Sequence, residues 1–200
     1  MTQDERRRQG VLYDSSKLHD QEWLRSKEAM EEFNRCGIRD MGKGAGILGK
    51  VFPLFGEHSM IIPPLYYSQG RNIRIGSAVF INAGAVILDD GDVRIGDHAF
   101  IGPNVQIYTA AHPIDSEIRR TGLQYVVPVS IGNNVWIGGN VTINPGISIG
   151  DNTVIGAGSV VTKDIPSGVI AAGNPCKVIR AIDDSDREYW NRCYQTYTEE

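Results

Sequence analysis

Isoleucine or valine returns at every sixth position over a long central stretch of the chain. The frame reads Ile75, Ile81, Ile87 and, after two extra residues, resumes at Ile95, Ile101, Ile107. It continues at Ile131, Ile137, Ile143, Ile149, Ile155 and Val161. The next residue is small or turn-tolerant in most units, as at Gly76, Asn82, Gly96, Gly102, Gly132 and Gly138. Four places after the isoleucine the side chain is small or β-branched, as at Val79, Ala85, Ala99, Val105, Val135 and Val141. A fixed period of this kind marks a repeat architecture. Six residues supply one short strand and one turn. The isoleucine points inward and stacks on its counterpart in the next coil, and β-branched residues suit the stacked pleated faces. The glycine or asparagine that follows is expected to take a turn conformation that a Cβ opposes. The pattern predicts a mainly-β parallel solenoid over residues 61–182.

The flanks differ. Trp23, Leu24, Ala29, Met30 and Phe33 recur at helical spacing among charges, which predicts a helical stretch over about 14–34. Residues 41–50, Met-Gly-Lys-Gly-Ala-Gly-Ile-Leu-Gly-Lys, read as a flexible glycine-rich piece. Ile62-Pro63-Pro64 enters the first coil as extended chain. At the far end Pro166, Gly168 and Gly173-Asn174-Pro175 are expected to stop the repeat. Asp183 and Asp184 are expected to cap a short helix carrying Tyr189, Trp190 and Tyr194. Three parts follow: an N-terminal helical segment, 1–60, the coils, 61–182, and a C-terminal helix, 183–200.

The interruption of the frame says more than the frame. Ile107 and Ile131 are a whole number of six-residue units apart, yet the pattern is lost between them. Residues 109–128 carry prolines, charges and His112, and read as a loop extruded from one corner. Long loops in compact domains are usually functional. A neutral imidazole there accepts a proton from a hydroxyl near neutral pH. His19 and His58 lie outside the coils, and His98 falls at a turn after Gly96-Asp97.

Other candidates keep two readings each. Asn82 fills a slot often taken by glycine, but Asn144 fills the same slot in another unit, so turn tolerance and a site role both stand. Asp89 and Asp90 mark the two-residue insertion, where an Asp-Asp-Gly turn and a hydroxyl-binding carboxylate are both open. Trp136 is too large for a narrow interior. It is expected to face outward, against a neighbouring subunit, beside His112, or both. Lys163, Lys177 and Arg180 place three cations near the last coil, as solvated charge or as partners for cofactor phosphates.

Composition narrows the class. With 200 residues, 41% apolar and 22% charged, the chain supports one domain with appendages and is no disordered tract. The net charge of -4 argues against a nucleic-acid binder, which needs a basic face. Cys36, Cys176 and Cys193 are too scattered for a disulfide framework or a zinc site and fit a reducing compartment. No apolar run is long enough to span a bilayer, and the charged start, Met1-Thr-Gln-Asp-Glu-Arg-Arg-Arg, reads as no signal peptide. A soluble cytoplasmic protein is expected, with no nucleic-acid or membrane partner.

Several segments also carry a resemblance: Ile-Tyr-Thr-Ala-Ala-His-Pro (107–113), Ile-Gly-Asn-Asn-Val-Trp-Ile-Gly-Gly (131–139), Ile-Asn-Pro-Gly-Ile-Ser-Ile-Gly-Asp-Asn (143–152), Val-Thr-Lys-Asp-Ile-Pro (161–166) and Ala-Gly-Asn-Pro-Cys-Lys-Val-Ile-Arg (172–180). With Leu12-Tyr13-Asp14 and Glu32-Phe33-Asn34, they make nearly the whole chain similar to the hexapeptide-repeat sugar O-acetyltransferases of the maltose and galactoside type. The resemblance implies a left-handed parallel β-helix, against the usual right-handed rule. It further implies a homotrimer with sites between subunits, acetyl-CoA as co-substrate, a sugar-like acceptor and no required metal. It makes His112 the general base. It makes Asp14, Ser68, Asn82 and Asp90 acceptor-binding residues and places Trp136 beside the active site. It makes Gly139, Ala157, Thr162, Lys163, Lys177 and Arg180 contacts to acetyl-CoA. The region before the coils covers the acceptor in that family, a role that falls here to residues 1–60. Ser68 is similar to the galactoside type, where the maltose type tends to carry Asp. The glycines from Gly42 to Gly49 replace a charged helical segment. Lys177 stands where Arg can occur, which keeps the charge without the planar fork.

The activity that follows is acetyl transfer from acetyl-CoA to a sugar hydroxyl by direct attack. His112 serves as base and a backbone N–H near Gly139 stabilises the oxyanion. No cysteine is placed to carry an acyl group. The alternatives are an acetyltransferase of the same fold acting on an antibiotic or a polysaccharide precursor, and a non-catalytic β-helix used for assembly. A serine acetyltransferase needs a larger helical N-terminal domain. A zinc enzyme similar to γ-carbonic anhydrases needs three histidines where the repeat region holds only His98 and His112.

Overall fold

The computed structural model describes residues 1–199; Glu200, the end of the expected tail, lies outside the described residues. Short parallel strands stack into three faces. The first face holds Leu54–Phe55, Ile73–Ile75, Val93–Ile95, Val129–Ile131 and Ser148–Ile149. The second holds Met60–Ile61, Phe80–Ile81, Phe100–Ile101, Trp136–Ile137, Val154–Ile155 and Val169–Ala172, with Lys177–Ala181 added antiparallel at its end. The third holds Leu65–Tyr67, Ala85–Leu88, Gln106–Tyr108, Thr142–Ile143 and Val160–Val161. We call the turn from first to second face the first edge, that from second to third the second edge, and the return to the first face the third edge.

Stacking in register places the frame residues on one another: Ile75 on Ile95, Ile95 on Ile131, Ile131 on Ile149. None of the twelve frame residues is more than 3% exposed. Each buried isoleucine contributes roughly 1.5–3 kcal/mol of transfer free energy, so the column of them is the core. The small residues four places on are buried too, and where they are polar they are satisfied. Thr153 donates to the Pro166 carbonyl at 2.9 Å, and Ser159 donates to the Gly156 carbonyl at 2.5 Å.

The glycines after the isoleucines have a different cause from the one expected. A Cβ on Gly76, Gly96 or Gly132 would sit 2.7–2.8 Å from backbone atoms of the next coil. Close stacking demands glycine there. The left-handed backbone falls two residues later, at Ala78, His98, Asn134 and Asn152, with φ of 55–56°.

The coil begins ahead of its expected start and runs on past the expected stop at Pro166. Leu54–Phe55 already pairs with the first face ahead of residue 61. Pro166 does not stop the coil: Ile165 still bridges Ile149, and Val169–Ala172 still pairs with Val154–Ile155. Proline is tolerated because it sits at an edge, where its missing N–H breaks no ladder.

Among the described residues five α-helices flank the coils. The short α1 is Gln3–Arg8, α2 is Gln21–Asn34, α3 is Met41–Leu48, α4 is Ser116–Arg119 and α5 is Asp184–Glu199. The stretch 14–34 is split into a 3-10 turn over Ser15–Leu18 and then α2, because Asp14 caps the first and Asp20 the second. The glycine-rich piece is helical. It folds as α3 because Ile47 and Leu48 bury against the core and Gly44 lets it approach α2: a Cβ there would lie 3.1 Å from the Phe33 ring. Asp183 caps α5 by accepting from the Ser185 N–H at 3.0 Å.

Candidate active site

The loop 109–128 leaves the third edge. Its two arms pair antiparallel as Ala110–Ala111 with Tyr125–Val126, and α4 forms the tip. The N-terminal segment adds to this ribbon: the Tyr13 N–H donates to the Gln124 carbonyl at 2.9 Å, and the Gln124 N–H donates back to the Tyr13 carbonyl at 3.1 Å. Tyr13, Leu18 and Val126 bury together as a small cluster apart from the main core. Burial pushes the Tyr13 hydroxyl up to about 12, so it stays protonated.

His112 lies exposed on this ribbon. Its Nδ1 lies 3.0 Å from the Leu123 carbonyl oxygen. A carbonyl only accepts, so Nδ1 carries the proton and Nε2 is left with a free lone pair.

Three expected acceptor residues gather at the same edge. Asp90 is 9% exposed; its Oδ1 accepts from Gln124 Nε2 at 3.5 Å, and its carbonyl accepts from Arg7 Nη1 at 2.6 Å. Ser68 is half-buried, and its N–H donates to Asp89 Oδ1 at 3.0 Å. Asp14 follows Tyr13. The Ser16 hydroxyl and N–H and the Lys17 ammonium hold its carboxyl below the usual range. Of the two inserted aspartates, Asp89 is the structural one. It is fully buried and accepts from the N–H groups of Ser68, Gln69 and Asn72. Loss of solvation pushes its carboxyl up to about 7, against those hydrogen bonds.

The other expected residues lie elsewhere. Asn82, Gly139 and Ala157 stack along the second edge. Asn82 Oδ1 accepts from the Ala83 N–H at 2.8 Å, and its amide NH2 has no acceptor among the described residues. The N–H groups of Gly139 and Ala157 likewise have no acceptor among the described residues. A Cβ on Gly139 would press on Pro103 at 3.2 Å. Trp136 faces outward on the second face, 58% exposed, in a ladder with Met60, Phe80, Phe100, Val154 and Ile170. The matching ladder on the first face starts at Leu54 and is polar from there on, through Arg74, Arg94, Ser130 and Ser148.

The second edge runs down to the three-cation end. Lys177 is paired with Ala172, and Arg180 with Ile170, on the closing antiparallel strand. Arg180 is held by Asp186, Nη1 at 2.5 Å and Nη2 at 2.7 Å. Thr162 and Lys163 are exposed on the third edge. A single protomer therefore keeps His112, Asp14, Ser68 and Asp90 at one edge and Asn82, Gly139 and Ala157 at another, on the order of 10 Å or more away across a face. None of the loop's hydrogen bonds reaches the second edge.

A cleft of about 760 Å³ opens beside the first face, with Arg7, Arg8, Lys50, Arg71 and Arg74 in its wall. Its arginines are neutralised by Asp4, Asp20, Glu22 and Asp92, and His112 lies outside it. Sequence reasoning missed Tyr13 and Gln124 as parts of the site. The only signal was a polar glutamine beside the β-forming run Tyr125-Val126-Val127.

The stacked isoleucine prism with one extruded, histidine-bearing edge defines a transferase of the hexapeptide-repeat class. Residues 128–163 match the family described as bacterial transferase hexapeptide (six repeats). The galactoside O-acetyltransferase of Escherichia coli (strain K12) is 45% identical over 196 residues, 98% of this chain and 97% of that protein. Among solved structures, a galactoside acetyltransferase in complex with coenzyme A superposes with a TM-score of 0.90 at 46% identity, covering 94% of each chain. A maltose O-acetyltransferase from Clostridium difficile 630 gives 0.89 at 44% identity, covering 92% of this chain and 98% of that one. The chain belongs to the hexapeptide-repeat sugar O-acetyltransferase family and is an acetyltransferase built on a parallel β-helix.

Proposed function

We propose that the protein transfers acetyl from acetyl-CoA to a hydroxyl of a galactoside- or maltose-like sugar, with His112 as general base. The carrying observation is the His112 Nδ1 contact to the Leu123 carbonyl, which leaves Nε2 as a proton acceptor on an exposed arm. His112 Nε2 takes the hydroxyl proton as that oxygen attacks the thioester carbonyl. The tetrahedral oxyanion is met by the unpartnered N–H of Gly139. Collapse breaks the carbon–sulfur bond, and the imidazolium returns its proton to the leaving thiolate. General-base catalysis is worth about 10²–10⁴-fold, and one oxyanion donor about 10²–10³-fold.

His112 and Gly139 sit on different edges of one protomer. This supports a homotrimer in which the third edge of one copy meets the second edge of the next. The apolar ladder through Phe100 and Trp136 suits such a contact. Asp14, Ser68, Asn82 and Asp90 then hold the sugar, with Trp136 beside them. Gly139, Ala157, Thr162, Lys163, Lys177 and Arg180 line the path of acetyl-CoA, with residues 1–60 over the acceptor. Three unpaired thiols fit a reducing, cytoplasmic setting. The test is thiol release from acetyl-CoA across a panel of galactosides, maltosides, antibiotics and polysaccharide precursors. Release with an antibiotic but no sugar would replace this reading.

A further inference from the structure

We propose that Gln124 is a positioning residue that couples the acceptor-side carboxylate of Asp90 to the ring of His112, an inference that rests on His112 being the base. Gln124 is 9% exposed in a loop whose tip is open to solvent. Its side-chain Nε2 donates to the Tyr13 hydroxyl at 2.5 Å and to Asp90 Oδ1 at 3.5 Å. A buried amide costs stability unless its hydrogens are used, and here both have partners.

The backbone completes the connection. The carbonyl of Leu123 and the N–H of Gln124 belong to one planar peptide unit and point in opposite directions. Tyr13 O holds the N–H end at 3.1 Å, and the carbonyl end accepts from His112 Nδ1 at 3.0 Å. The tilt of this single plane sets the tautomer and direction of the base. The amide side chain of Gln124 fixes that plane against Asp90, whose own backbone is held by Arg7 and Asn72. A sugar engaging Asp90 therefore acts on the same residue that aims the base.

The test is steady-state kinetics on Gln124→Leu, Asp90→Asn and the double variant. Gln124→Leu is expected to lower kcat about tenfold and to move the acid-limb midpoint of the kcat/KM pH profile, where protonation of the base removes activity, with the acetyl-CoA KM within about twofold. The double variant is expected to be no worse than the worse single one. Val126→Ala, which loosens the same cluster without touching the amide, is expected to lower Tm and leave the pH midpoint in place. Additive losses in the double variant, or an unmoved midpoint in Gln124→Leu, overturn the proposal. If Gln124→Leu does not fold, Tyr13→Phe removes one amide partner and keeps the ring, and an unchanged kcat there overturns it equally. His112→Ala in the same assay separates the two readings. Activity in that variant removes the base assignment, whereas an inactive His112→Ala beside an unaffected Gln124→Leu removes this coupling alone.

Discussion

His112 Nδ1 and the Leu123 carbonyl oxygen face each other at 3.0 Å across the two arms of the extruded ribbon. This contact fixes the less common imidazole tautomer. Nitrogen-15 NMR of labelled protein is expected to show His112 with its proton on Nδ1 when neutral. His112→Ala is expected to lower kcat by about 10²–10⁴-fold while acetyl-CoA binding by calorimetry stays the same. Full turnover in that variant removes His112 from the chemistry.

The glycines of α3 are not equivalent. A Cβ on Gly46 meets nothing within 4 Å, whereas one on Gly44 meets the buried Phe33 ring at 3.1 Å. Gly46→Ala is expected to stabilise by about 0.5–1 kcal/mol through helix propensity. Gly44→Ala is expected to lose that gain to overpacking. Paired urea midpoints decide it: equal midpoints mean that Gly44 does not set the approach of α3.

Asp89 gives stability a defined pH window. Its carboxyl is held near 7 in the fold by burial and lies near 3.8 when unfolded. Between these values the unfolded chain has lost the proton and the folded one keeps it, so stability falls as pH rises from about 4 to about 7 and is level above. Denaturant midpoints across this range are expected to decline, and Asp89→Asn is expected to flatten the decline. A variant with the wild-type slope assigns the effect to another group.

Arg180 enters with its guanidinium already claimed by Asp186. That contact lowers the Asp186 carboxyl to about 2. If Arg180 meets cofactor phosphate, it first leaves this carboxylate. Exposed pairs are weak, so Asp186→Asn is expected to tighten acetyl-CoA binding by only about two- to fivefold. Arg180→Gln is expected to weaken it. Calorimetry showing both variants unchanged takes Arg180 out of the cofactor path.

The coils were legible in the sequence because burial on a six-residue period leaves a direct trace, from Ile75 to Val161. The outward Trp136 followed from size alone. The flanks were less legible. Glycines in Gly42–Gly49 argue against a helix by propensity, and only the contact with Phe33 overrides that. The glycine that follows many of the frame isoleucines was visible, but its cause was not, since chain stacking is a relation between coils. Tyr13 and Gln124 meet across 111 residues, a pairing that no local pattern reports.

The three edges also differ in how they count. From first to second face, and from second to third, the spacing between stacked frame positions is always six residues, as in Ile75, Ile81, Ile87 or Ile131, Ile137, Ile143. The departures fall on the third edge: eight residues from Ile87 to Ile95 and twenty-four from Ile107 to Ile131, whereas Ile143 to Ile149 keeps six. One residue added at Gly138-Gly139 would turn every following side chain to the wrong side. The third edge absorbs whole excursions without disturbing the stack. Novelty has a single address in this architecture: a new loop spliced at Asn144-Pro145-Gly146 can bring new chemistry while the prism keeps its register.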